Sequence, residues 1–316
     1  MVPIKSKALQ HCEGEMVVEA VDPVENLQDD DLVEHIIQLR ARGDNARVIE
    51  ISGSYVAKHY GKDKIEDVVQ AIAKAEALDV RVPHIKRVAK GDGHFECIQE
   101  RIYGRTLMDA WTDIGWFSTF RLAFQLRGML RRMRAATSQT AGSLGTGLCR
   151  SMWLDDRFGV PPRALPSTIS SIINFWHNLV SFRREAGKSP EEHRRSCAGP
   201  TQPEDSLVFT HHDLAPRNII LESTTRNLVL VDWDDAGWYP RYFEFAGMSN
   251  FIFPKEWGRF DRLRWNLFTW ITTGLYRREC RMLTEVHRKL IRFPVARRFN
   301  IMAGATLSVR PAEDCS

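Results

Sequence analysis

Two short strings carry residue types that can do chemistry. HHDLAPRNIIL, from His211 to Leu221, holds His211, Asp213 and Asn218. LVLVDWDDAGWYP, from Leu228 to Pro240, ends an apolar run in Asp232. The runs SLVFTH and NLVLVD flank the first string and predict a hairpin-like frame around it. Such a frame holds loop carboxylates rigidly, which chemistry requires. Two carboxylates and an amide are all oxygen ligands, a set that suits Mg²⁺ bound together with phosphate oxygens. Zinc prefers His and Cys, which weighs against His211, His212 and Asp213 as a metal trio.

The chain that must position these residues has 316 of them, enough for two lobes and a sizeable core. Its 43% apolar and 27% charged fractions are those of an ordinary globular protein, and a net charge of +4 is too small to argue for nucleic acid. Cysteines stand at 12, 97, 149, 197, 280 and 315 without metal or redox spacing, so a reducing cytoplasm is expected. The start, MVPIKSKALQ, lacks the apolar core of a signal peptide, and no run has the length of a membrane span. A soluble chain with no membrane or nucleic-acid partner is therefore expected. From Glu13 to Glu34 there are nine acids and no Lys or Arg, and from Arg277 to Arg298 eight bases against Glu279 and Glu285. These are solvated faces, or a basic surface that meets an acidic ligand or the acidic arm itself.

Periodicity locates the elements. DDDLVEHIIQLRARG predicts a helix capped at Asp31, with Glu34 completing a capping box and Gly43 ending it. ARVIEIS and YVAKHYG alternate about a Gly-Ser pair and predict a β-hairpin. KIEDVVQAIAKAEALD, apolar at 65, 68, 69, 72 and 73, predicts a helix, and VPHIKRVAK with HFECIQERIYG a second hairpin about GDG. After Gly104 the clear strand signals stop. Helices are predicted in FRLAFQLRGMLRRMRAATS, in LPSTISSIINFWHNLVSFRREAG and, as one region, in WNLFTWITTGLYRRECRMLTEVHRKLIRF, with a loop from Ala186 to Glu204. The order gives an acidic arm and helix (1–43), a strand-rich lobe (44–102) and a larger helical lobe (103–316).

His211-x-Asp213-Leu214-x-Pro216-x-Asn218 resembles the catalytic loop of the protein-kinase-like superfamily, and Asp232-Trp233-Asp234 stands where its metal-binding aspartate motif would be. The two strings together, over roughly residues 44 to 276, are similar to the aminoglycoside phosphotransferase family, in particular its fungal members. The resemblance implies a two-lobed α+β kinase-like fold, with a small antiparallel-sheet N-lobe and a mainly helical C-lobe. It implies ATP and Mg²⁺ as cofactors and a small hydroxylated molecule as acceptor. Asp213 would accept the hydroxyl proton, Asn218 and Asp232 would hold Mg²⁺, and His211 would brace the loop. Lys58, in YVAKHY, would contact the α- and β-phosphates. Its helix partner would be Glu66 by spacing, with Asp67 and Glu76 as rivals. CIQERIYG matches the hinge, where the carbonyl of Glu100 and the N–H of Ile102 would bond adenine, with Gln99 at the back wall.

The sequence departs from that pattern in two places. EISGSYVAK keeps one glycine, Gly53, where a glycine-rich loop would cover phosphates, and a tight hairpin offers a phosphate few N–H groups. A pseudokinase acting as a binding or regulatory protein is the alternative this raises. Ala215 stands where protein kinases carry a lysine, no Ala-Pro-Glu follows Asp232, and Gly237 to Asn250 is short for a regulated activation loop. These features favour a small-molecule acceptor over a protein. Glu244 either fixes the catalytic loop or touches substrate, and Arg217 pairs either with phosphate or with Asp234. Trp233, Trp238 and Tyr239 read as packing residues. GSLGTG, Gly142 to Gly147, has no Lys-Ser/Thr after it and reads as a flexible connection rather than a phosphate loop. The basic C-terminal stretch predicts neutral or anionic acceptors before polycations.

Overall fold

The computed structural model describes residues 23–42, 47–154, 160–178 and 206–292. The expected acidic arm up to Asp22, the stop at Gly43, the loop from Ala186 to Glu204 and the bases Arg297 and Arg298 lie outside those residues.

The N-terminal part contains α1 (Pro23–Asn26), α2 (Asp29–Arg42), β1 (Val48–Glu50), β2 (Tyr55–Gly61), α3 (Lys62–Ala77), β3 (Ile85–Lys90) and β4 (His94–Glu100). Its strands form one antiparallel sheet in the order β1-β2-β4-β3. Both predicted hairpins are present, and their alternation has a physical reason: the sheet is covered on both faces. Leu32, Val33 and Ile36 of α2 pack with Ala57, Ala89 and Ile98 on one face. Ile65, Val68 and Ile72 of α3 pack with Tyr60 and Cys97 on the other. Side chains alternate along a strand, so Ala57 and His59 turn towards α2, while Lys58 and Tyr60 turn towards α3. Helix α2 starts earlier than the Asp31 cap predicts. The N–H of Leu32 donates to Gln28 O at 2.9 Å, Asp31 lies inside the first turn, and Glu34 accepts from Gln38 at 3.3 Å instead of closing a capping box.

The larger part contains β5 (Gly104–Thr106), α4 (Leu107–Ala110), α5 (Trp116–Ala135), β6 (Thr137–Ser138), α6 (Pro166–Asn178), β7 (Leu207–Thr210), a 3-10 turn (Pro216–Asn218), β8 (Ile219–Glu222), β9 (Leu228–Leu230), β10 (Gly237–Tyr239), α7 (Tyr242–Ser249), α8 (Arg259–Thr273) and α9 (Arg277–Arg292). Strands thus continue after Gly104, each too short for alternation to reveal it. The expected hairpin frame is corrected as well: β7 pairs with β10 and β6, while β9 pairs with β8, the Ile-Ile-Leu run. The string from His211 to Leu221 therefore runs from one small sheet to the other. The single C-terminal helical region is two helices, broken at Gly274, whose φ of +95° a side chain would disfavour.

Trp111, Trp257, Trp265 and Phe268 stack edge and face in the core between α4, α5 and α8. A second core joins α6, α7 and α9 around Trp153, Trp176 and Tyr239. The result is a two-lobed α+β fold, a small antiparallel sheet lobe joined to a mainly helical one. No helix among the described residues is long and apolar enough to cross a membrane. Cys97, Cys149 and Cys280 are buried free thiols, and burial pushes the Cys97 thiol up to about 11.

Candidate active site

The loop after β7 is braced from beneath. Glu244, buried on α7, accepts the backbone N–H of His211 at 2.5 Å and that of His212 at 3.3 Å. Burial pushes its carboxyl up, against the pull of His211, Arg134 and these two bonds. Of its two expected roles, the geometry is that of fixing the loop. His211 is fully buried; its Nε2 lies 2.9 Å from Val231 O and its Nδ1 accepts the N–H of Asp213 at 3.4 Å. One imidazole thereby ties the loop to the segment that ends in Asp232. His212 and Asp232 both hold left-handed backbone, φ +72° and +66°, a region that non-glycine residues seldom occupy. His212 stacks on Tyr239, and its Nε2 meets Ser151 Oγ at 2.8 Å. Burial holds its pKa down at about 3, so the ring is neutral. The two histidines thus bond to different neighbours and do not converge as metal ligands.

Asp213 and Asn218 come together across the 3-10 turn. The Asn218 amide donates to the Asp213 carbonyl at 2.9 Å and to its Oδ2 at 2.8 Å. Arg217 donates to the same Oδ2 at 2.5 Å. Its partner is therefore Asp213, not Asp234.

Lys58 of β2 is buried and donates to Asp232 Oδ1 and to Asp234 Oδ1, the latter at 2.9 Å. The expected pairing of Lys58 with an acid of α3 is corrected. Glu66 is exposed and accepts from Gln70 at 3.1 Å. Of its rivals, Glu76 pairs with His84 at 3.0 Å, and Asp67 is engaged elsewhere. Asp234 is the hub that sequence reasoning missed. It also accepts from Tyr60 at 2.7 Å and from Arg47, and Lys64 stands 3.6 Å away. Burial alone would raise the Asp234 carboxyl, but the charge and hydrogen bond of Lys58, with Tyr60 and Lys64, bring it down to about 2. Nothing in the spacing of Arg47 and Lys64 marks convergence on an aspartate more than 160 positions downstream.

The reduced glycine turn is fastened down. Ile51 and Ser52 donate to Tyr55 O at 3.0 and 3.3 Å, and the Ser54 N–H donates to Ser52 Oγ at 3.2 Å. The Tyr103 hydroxyl donates to Gly53 O, and the Arg101 N–H donates to Ser54 O at 2.8 Å. This links the turn to the expected hinge. There β4 ends at Glu100, whose carboxylate takes Arg81 at 2.6 and 2.8 Å, and residues 101–103, Ile102 included, run on without regular structure.

GSLGTG is not a flexible connection. Asp67 accepts the N–H groups of Gly145 (3.0 Å) and Thr146 (2.7 Å), the Thr146 hydroxyl (2.8 Å) and the Arg150 guanidinium. Burial raises this carboxyl, and those bonds outweigh it and lower its pKa. Gly142, at φ +110°, lies so close to Gly147 O that a Cβ would sit 2.1 Å from it.

Beside Asp235 lies a cleft of about 590 Å³. Asp63 and Lys64 line it from α3, Arg150, Ser151 and Met152 from the segment after the glycine turn, and His287, Leu290 and Ile291 from α9. Burial and the charges of Asp234, Asp213 and Asp232 raise the Asp235 carboxyl against Lys64. The α9 contribution is apolar and imidazole; its arginines are not in the lining.

Among solved structures the chain is similar to aminoglycoside phosphotransferase APH(3'')-Id from Streptomyces rimosus (17% identity, 83% of this chain and 98% of that one, TM-score 0.43). It is also similar to APH(2")-IIa in a streptomycin–ATP complex (14%, 87% and 96%, 0.44) and to a thermostable APH(4)-Ia mutant in a ternary complex with ADP and hygromycin B (12%, 81% and 85%, 0.46). No curated protein matches it. The model of the phosphotransferase enzyme family, APH, matches residues 36–278, well over half of the sequence and both strings around Asp213 and Asp232, and the chain belongs to that family.

Proposed function

We propose that the chain is an ATP-dependent kinase that phosphorylates a hydroxyl of a small molecule, with Asp213 as the base. The observation that carries the reading is the meeting of Asp213, Asn218 and Arg217 on one loop, which the Val231 N–H, donating to Asn218 O at 3.0 Å, ties to the segment that ends in Asp232, the partner of Lys58. Arg217 and Asn218 both bond Oδ2 of Asp213, which orients the carboxylate and leaves Oδ1 to receive a proton. The acceptor oxygen attacks the γ-phosphorus, its proton passes to Asp213, and the bond from that phosphorus to the leaving ADP oxygen breaks.

The residues present fit Mg²⁺. Asn218 uses its amide N–H on Asp213, which leaves its own Oδ1 outside those bonds, and Asp232 is a partly exposed carboxylate. Held by Asn218 and Asp232, the ion would neutralise phosphate charge. Lys58, Lys64 and Arg47 gather around Asp232, Asp234 and Asp235, which offers a polyphosphate three cations in a chain whose Ser52–Ser54 turn has few N–H donors to give. Polyphosphate would compete with these aspartates for them. Arg217 supplies a cation at the base in a chain that has Ala215 at the lysine position. The hinge reading, with the Glu100 carbonyl and the Ile102 N–H on adenine, belongs to the same proposal.

The cleft beside Asp235 is the proposed acceptor site. Asp63 and Asp235 balance Lys64 and Arg150, and Met152, Leu290 and Ile291 add apolar surface. A balanced, partly apolar lining favours a neutral hydroxyl compound over a polycation. The test is a thermal shift with Mg²⁺-ATP followed by an ATP-consumption screen. Nucleotide at a hundred times its dissociation constant should add about 2.7 kcal/mol, and neutral polyols or sugars should be turned over before kanamycin-like compounds. No shift at saturating Mg²⁺-ATP would favour the pseudokinase reading, to which the fastened Ser52–Ser54 turn also speaks. Efficient turnover of polycations would overturn the acceptor class and leave the kinase standing.

A further inference from the structure

We propose that His59, His94 and Glu96 form a binding site for a divalent transition-metal ion of the zinc type, on the face of the N-terminal sheet turned away from Lys58. Strand register creates it. In the β2–β4 pair His59 stands opposite Glu96 and Gly61 opposite His94. His94 and Glu96, two apart, share a face. All three therefore project to the α2 side, while Lys58 projects to the α3 side.

The distances are those of a site that needs small rotations to close. His59 Nδ1 lies 2.9 Å from Glu96 Oε1, His94 Nε2 lies 3.9 Å from the same oxygen, and all three ligand atoms fall within 4.8 Å of one another. Ligands about 2.1 Å from a tetrahedral centre are about 3.4 Å apart, and the two shorter separations bracket that value. His94 is held ready. Its Nδ1 sits 3.0 Å from Asp92 O, which fixes the proton there and leaves a lone pair on Nε2. That Nε2 is buried and has no hydrogen-bond partner. A second hydrogen bond that orients the free nitrogen of a histidine is the usual outer shell of a metal ligand. The ring also needs Gly91: a Cβ there would lie 2.6 Å from its Cε1 and Nε2.

Glu96 is fully buried, and Arg40 of α2 holds both its oxygens, Oε1 at 2.7 Å and Oε2 at 3.1 Å. The ion would take Oε1 and leave Arg40 on Oε2, so that α2, β2 and β4 share one centre. Two imidazoles and one carboxylate with an open fourth position suit zinc, cobalt or nickel better than Mg²⁺. His59, with its side chain 45% exposed, leaves that position to water.

The test uses the full chain, dialysed against chelator, without nucleotide. Co²⁺ should bind one to one with visible tetrahedral absorption, and Zn²⁺ should raise the melting temperature. His94→Gln, and separately the exposed His59→Gln, should each weaken Co²⁺ binding about ten-fold or more, while Asp232→Ala leaves the absorption unchanged. Absence of a one-to-one band, histidine variants that bind Co²⁺ as tightly as the parent, or loss of the band in Asp232→Ala would overturn the site. None of these readouts depends on phosphoryl transfer.

Discussion

Asp213 receives two bonds on Oδ2, from Arg217 and Asn218, and the proposed role as base rests on its other oxygen. Asp213→Asn retains size and the loop's backbone bonds while removing the base, so turnover should fall roughly 10²–10⁴-fold with the fold and Mg²⁺-ATP binding nearly intact. A working assay with unchanged turnover would take the role from Asp213. Arg217 acts on the transferring group if its cation replaces the absent lysine. Arg217→Ala should then lower kcat by roughly 10²-fold with little change in KM for ATP, and Arg217→Lys should recover part of it. A loss confined to KM would make Arg217 a binding residue only. Residue types and spacing singled out Asp213, Asn218 and Asp232 as candidates, because the proposed chemistry is written in one or two short strings, and the fold brings Asp213 and Asn218 together. Glu244 was legible as a residue but not as a role: its bonds are to two backbone N–H groups, and side-chain spacing says nothing about those.

At the scale of elements, the two N-lobe hairpins were readable because both sheet faces are covered and strand alternation is strong. The small strands of the helical lobe were not, since β6 has two residues and β9 three. Their pairing comes from tertiary contacts, which is why β7 was matched with β9 instead of β10. The Lys58 partner failed for a related reason. Spacing along α3 ranked Glu66, but which acid reaches a lysine depends on how two lobes close, and Asp232 and Asp234 arrive from the other lobe. The Asp67 anchor of GSLGTG is likewise a contact between α3 and a loop some 80 positions on. Asp67→Ala would leave the Gly145 and Thr146 N–H groups and Nη1 of Arg150 without their acceptor, while Arg150 Nη2 keeps the Asp63 carbonyl. At about 1–3 kcal/mol per unsatisfied buried group, it should lower the urea midpoint far more than Glu66→Ala on the same helix. Equal midpoints for the two variants would show that the loop does not need the carboxylate.

For the whole molecule, proton linkage reports how tightly the lobes and loops are held. Asp67, Glu96 and Asp234 all have folded pKa values below their ordinary ones of 3.8, 4.5 and 3.8, although burial opposes the shift in each. Their stabilisation is complete above those values and is lost as pH falls through the folded pKa. Glu244 has the opposite sign: its raised pKa means that the folded state keeps a proton the unfolded chain releases, so its contribution declines as pH rises above 4.5. His212 sets the earliest change on the acid side. Its ordinary value of 6.5 falls to about 3 in the fold, because burial disfavours the charged ring. Below pH 6.5 the unfolded chain takes up a proton that folded His212 refuses, so stability drops as pH falls, at up to about 1.4 kcal/mol per pH unit. The drop runs down to about pH 3, where the folded ring also titrates. Urea denaturation between pH 6.5 and 5 should therefore show a falling midpoint in the parent and a flatter one in His212→Asn, which cannot titrate. If the two slopes coincide over that window, buried neutral His212 is not what makes the fold acid-sensitive.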